Sequence, residues 1–117
     1  MSEQFVGGNK AISNTGPREQ FLLVKLAEEC DEVSQRALKQ AQYGAEEAQE
    51  GNPTNSERLR DEVLDLVVII HLLQQSREIP TWSRAEFKKR KAAKLVKMGK
   101  SLAYSQSLGM IPKGVKL

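Results

Sequence analysis

The run from Leu59 to Leu73, LRDEVLDLVVIIHLL, constrains this chain more than any other segment. It is helical in character, and Val63, Leu64, Leu66, Val67, Val68, Ile69 and Ile70 make it apolar on most sides. A helix of that kind is expected to be buried nearly all round. Yet it carries Glu62 and Asp65 at i, i+3 spacing, which places both on one helix face. A buried carboxylate needs a partner, a shifted pKa or a metal. A second acidic set, Glu28, Glu29 and Glu32, lies in LAEECDEV. Carboxylates from two helices facing one gap form a cage suited to a hard cation such as Mg2+, or Mn2+ in its place.

The rest of the chain points to helices throughout. Pro17 suits a first helical position, and apolar residues recur at Leu22, Leu26, Cys30, Val33, Ala37 and Ala41. This first helix ends at Gly44 or continues to Gly51. Gly51-Asn52-Pro53 breaks the chain, and Thr54 with Glu57 reads as a capping box opening a second helix that runs to about Glu78. Ser83 with Glu86 opens a third, expected to end near Gly99, with a fourth helical piece from Ser101 to about Leu108, stopped by Gly109 and Pro112. No alternating strand pattern interrupts this order. The expected fold is all-α: an antiparallel bundle of two long helices with one or two shorter ones, its four-helix core completed by oligomerisation. Residues 1–16 read as a flexible arm, 17–109 as one helical domain and 110–117 as a tail.

Composition bears on partners and compartment. The chain has 117 residues, 39% hydrophobic and 5% aromatic, which makes a lean core that gains from self-association to a dimer or tetramer. The second helix has more apolar girth than one short partner would cover, so it is expected near that interface. A single cysteine, Cys30, excludes an internal disulfide and suits a reducing cytoplasm. We read it as a small core residue. No apolar leader opens the chain, and the apolar run is too short to span a bilayer. His71 reads as a core or interface residue, and Trp82 as an anchor for the third helix.

The net charge of +3 is uneven. Lys88, Lys89, Arg90, Lys91, Lys94, Lys97 and Lys100 fall within thirteen residues and favour anions. Little aromatic interleaving accompanies them, which argues against nucleic acid as the partner. Two alternatives to a metal site stay open at this point. Structural ion pairs with Lys25, Arg36 and Arg58 would satisfy the acids without a metal, and a basic binding module would use the lysine-rich segment.

Glu28-Glu29-Cys30-Asp31-Glu32 matches an EExxE motif, and Glu62-Val63-Leu64-Asp65 an ExxD motif. In that order, on consecutive helices, they resemble the MazG-like all-α nucleoside triphosphate pyrophosphohydrolases, a superfamily that includes dimeric dUTPases and dCTP pyrophosphatases. The resemblance covers roughly Pro17 to Lys97. Twenty-nine residues separate Glu32 from Glu62, near the long end for such a pair, which implies an extended loop around Gly44 to Asn55. The resemblance implies Mg2+-dependent cleavage of a nucleoside triphosphate between the α and β phosphates. It implies Glu29, Glu32, Glu62 and Asp65 as metal ligands, with Glu28 ordering the site or a catalytic water. Lys25, Lys91, Lys94 and Lys97 are expected to meet phosphate. Phe5, Asn14 and Phe21 are candidates to close over the base.

Overall fold

A computed structural model describes residues 15–117, all helix and connecting loop, in the order α1 (Pro17–Tyr43), α2 (Asn55–Gln75) and α3 (Arg84–Ser107). The chain divides into two compact units, one up to Pro80 and one from Thr81 to Leu117. No strand occurs among the described residues.

In the first unit α1 and α2 form an antiparallel hairpin. Gly44 ends α1 with φ of 92°, a backbone conformation that favours glycine, and its N–H donates to Gln40 O at 2.8 Å. The chain therefore leaves the helix at Gly44 and does not continue through AEEAQE. The Thr54 capping box forms as expected: the Thr54 hydroxyl accepts from Glu57 N–H, and the Glu57 carboxylate accepts from Thr54 N–H. At the open end of the hairpin, Thr15 Oγ1 donates to Glu78 Oε1 at 2.7 Å.

Helix α2 stops at Gln75, short of Glu78. Arg77 adopts φ of 66°, Glu78 N–H donates to Leu73 O at 2.9 Å, and Arg77 N–H donates to Gln74 O at 3.0 Å. That is a Schellman cap built on arginine in place of the usual glycine, at a local cost of roughly 1 kcal/mol.

The seam between α1 and α2 differs from the apolar stripe expected on α1. Among the α1 residues withdrawn from solvent, Leu22, Leu26, Glu29, Val33, Arg36 and Gln40 form one row spaced 4-3-4-3-4. Cys30, Ala37 and Ala41 are exposed, so the core reading of Cys30 is overturned. On α2 the matching series is Asn55, Leu59, Glu62, Leu66, Ile69 and Leu73 with the same spacing. These are complementary heptad-type rows. The dry apolar part of the seam is its open end, where Leu22 is 7% exposed and Leu73 0%.

The expectation that α2 is buried nearly all round is also corrected. One partner helix covers one stripe, and Val63, Leu64, Val67 and Val68 on the remaining faces are exposed. Asp65 is exposed with them.

The second unit holds α3. Its Ser83–Glu86 capping box is present. The expected stop near Gly99 does not occur, and the separate fourth helix merges into α3. A single interior glycine costs about 1 kcal/mol, too little to end a helix whose flanks favour it. With 27, 21 and 24 residues, all three helices are long. The end comes at Gly109, whose φ of 75° closes a Schellman cap: Met110 N–H donates to Ser105 O and Gly109 N–H to Gln106 O, both at 3.0 Å. The tail folds onto this end, with Gln106 Nε2 donating to Pro112 O and Val115 O. No described helix is long and apolar enough to cross a membrane.

Candidate metal centre

The heptad spacing places Glu29 between Leu26 and Val33 on α1, and Glu62 between Leu59 and Leu66 on α2. Both carboxylates therefore point along the seam, where a leucine or valine would normally pack. Asp65, one turn on from Glu62, lies at the seam's edge. One carboxylate oxygen from each of Glu29, Glu62 and Asp65 falls within 4.8 Å of the others. Glu29 Oε2 is shut off from water and receives no hydrogen bond. An ionised oxygen in that position is costly unless a cation or a proton meets it.

Glu62 feels this most. Partial desolvation pushes its carboxyl above the ordinary value of 4.5, and the charges of Glu29, Glu32 and Asp65 push the same way. Only Arg36 opposes them. Glu32 is exposed and stands outside the group of three, acting on Glu62 through its charge.

The ion pairs that would satisfy these acids without a metal are mostly not formed. Lys25 pairs with Glu28 at 2.9 Å, an exposed i, i+3 contact, and its ammonium lies 5.3 Å from the centre of the Phe21 ring. Arg58 makes no ion pair among the described residues; the other two pairs there are Arg18–Glu19 and Arg60–Asp61. Arg36 offsets Glu62 through its charge.

The remaining candidates are exposed or lie outside the described residues. Phe21 is exposed on α1 beside Lys25, while Phe5 and Asn14 lie outside the described residues. Lys91, Lys94 and Lys97 are exposed on α3 in the second unit. His71 is exposed, which overturns the core reading, and Trp82 is 55% exposed.

Asn55 was not anticipated. It is 6% exposed, and its Nδ2 donates to Gly44 O at 3.0 Å and to Glu47 Oε1 at 2.9 Å. With Ser56 N–H donating to Ala45 O, it ties the α1–α2 loop to the start of α2. An asparagine just after an N-cap threonine was the available signal.

The chain matches no protein-family model, no curated protein and no solved structure.

Proposed function

We propose that this chain is a metal-dependent nucleoside triphosphate pyrophosphohydrolase that releases a nucleoside monophosphate and pyrophosphate. The convergence of Glu29, Glu62 and Asp65 within 4.8 Å, with Glu29 Oε2 lacking any donor, carries this reading. The donor set suits a small hard cation. Octahedral Mg2+ at 2.0–2.1 Å sets neighbouring ligand oxygens about 3 Å apart and opposite ones about 4.2 Å apart. Side-chain rotation would have to bring the three carboxylates into that range.

Glu29, Glu62 and Asp65 hold the metal in this proposal. Glu32 completes the negative field or joins them by rotation. Bound there, Mg2+ or Mn2+ shields the triphosphate and lowers the pKa of a water. Glu28, one residue from Glu29 and paired with Lys25 at 2.9 Å, would order a water there.

The test is a product assay across ribo- and deoxynucleoside triphosphates with Mg2+ and with EDTA. Monophosphate plus pyrophosphate, lost with EDTA, is the expected result. Diphosphate plus phosphate would overturn the assigned bond.

Self-association is part of the proposal. Leu64, Val67 and Val68 are 50–55% exposed on α2, a costly apolar surface for an isolated chain. Light scattering is expected to give a dimer or larger assembly that Val67→Lys dissociates. A monomeric wild-type protein at micromolar concentration would refute it.

A further inference from the structure

A pocket of about 250 Å3 sits at the closed end of the α1–α2 hairpin, separate from the three carboxylates. Arg36, Lys39 and Tyr43 line it from the last turns of α1, at i, i+3 and i+7 on one face. Arg58 reaches it from the first turn of α2, and Glu47 from the loop. Three cations thus meet a single carboxylate, and that carboxylate already accepts from Asn55. None of the three cations takes part in an ion pair among the described residues. Like charges gathered in one concavity repel each other, and an anion relieves them. The loop carbonyls of Glu47 and Ala45 and the Thr54 hydroxyl occupy the first amides of α2, so the side chains form the binding surface.

Placement adds a second constraint. Arg36 is one turn beyond Glu32 on α1, and Arg58 one turn before Glu62 on α2, each about 6 Å of helix rise. The hairpin therefore presents an acidic, cation-seeking stretch and, one to two turns away, a basic, anion-seeking pocket. A polyphosphate chain carrying a divalent cation has the opposite order of charges along a comparable length.

We propose that the Arg36–Lys39–Arg58 pocket binds the terminal phosphates of a polyphosphate ligand. As the seat of the leaving pyrophosphate it rests on the pyrophosphohydrolase reading; as a site for polyphosphate it does not. The pocket's loop walls, held by Asn55, set it in place before any ligand arrives.

The test is calorimetric titration of the full chain with inorganic triphosphate in EDTA, where the carboxylates recruit no metal. Saturable binding is expected, with at least a tenfold loss in the Lys39→Gln/Arg58→Gln double variant at unchanged helicity. Lys39→Gln alone, a change on an exposed residue, is expected to weaken binding in the same direction and guards against a folding defect. Glu62→Gln is expected to bind inorganic triphosphate at least as tightly as the wild type. No binding at millimolar triphosphate, or equal affinity in the double variant, would overturn the pocket. If triphosphate binds here but no nucleotide is hydrolysed, the pocket stands and the enzymatic reading falls. If nucleotides are hydrolysed with an unchanged KM in the double variant, the enzymatic reading stands and the pocket falls.

Discussion

Glu62→Gln is expected to lower nucleoside triphosphate turnover by about a thousandfold or more while leaving α1 and α2 folded. The change keeps the side chain's shape and removes one of the three converging charges. Glu62 is held against Glu29, Glu32 and Asp65 with only Arg36 to offset them, so its ionised form is a burden in the metal-free protein. A neutral amide lifts that burden, and its N–H group is a donor suited to the orphaned Glu29 Oε2. The variant's melting temperature without metal is therefore expected to equal or exceed the wild-type value. A purely structural role predicts the reverse: breaking a buried pair costs several kcal/mol, and the hairpin would weaken. Product assay and thermal melt on the same sample separate the two. Native turnover in the variant would remove Glu62 from the metal centre, and loss of helicity would favour the ion-pair alternative.

The helices were legible because their ends carry local chemistry. Pro17, the Thr54–Glu57 box, the Ser83–Glu86 box and Gly109 each act within one turn, and each is found where the residues place it. Gly99 misled because glycine inside a helix and glycine closing one look alike in sequence; only the second adopts positive φ. Arg77 misled in the opposite direction, closing a helix without glycine.

The seam was harder to see for a physical reason. Apolar residues alone trace Leu22, Leu26, Cys30, Val33, Ala37 and Ala41, whereas the row turned toward α2 passes through Glu29, Arg36 and Gln40. Polar residues in packing positions are discounted by any reading that follows hydrophobicity. Glu29 belongs to the proposed metal centre and Arg36 to the proposed anion pocket. The spacing of EExxE and ExxD singles out Glu29, Glu62 and Asp65, whose carboxylates converge, together with Glu32, which does not reach the group of three. The basic pocket stayed hidden because it is assembled from two helix ends and a loop. The exposure of Asp65 follows from counting partners: an apolar run shows what a helix can bury, and here one helix covers one stripe of it.

Saturating Mg2+ is expected to raise the melting temperature of the wild-type protein and leave that of Glu62→Gln nearly unchanged. A ligand present at a hundred times its dissociation constant stabilises the folded state by about 2.7 kcal/mol, a large effect for a hairpin with so little buried apolar surface. The effect should depend on pH in a defined direction. The Glu62 carboxyl is raised above 4.5 by desolvation and its acidic neighbours. Without metal, its contribution to stability is full below 4.5 and is lost as pH rises through the folded value. Glu57 works the other way, because the Thr54 backbone and hydroxyl lower its carboxyl; its contribution is present above 4.5 and lost as pH falls through its folded value. The metal-free protein therefore trades one against the other across the acid range. Mg2+ binds the ionised carboxylates, so its stabilisation should be small where Glu62 is protonated and grow as Glu62 ionises. Thermal melts at about pH 4 and about pH 8, with Mg2+ and with EDTA, test this directly. An Mg2+ increment that is absent at both pH values would show that the three carboxylates converge without binding the ion. An increment that survives in Glu62→Gln would move the metal to other ligands on the chain.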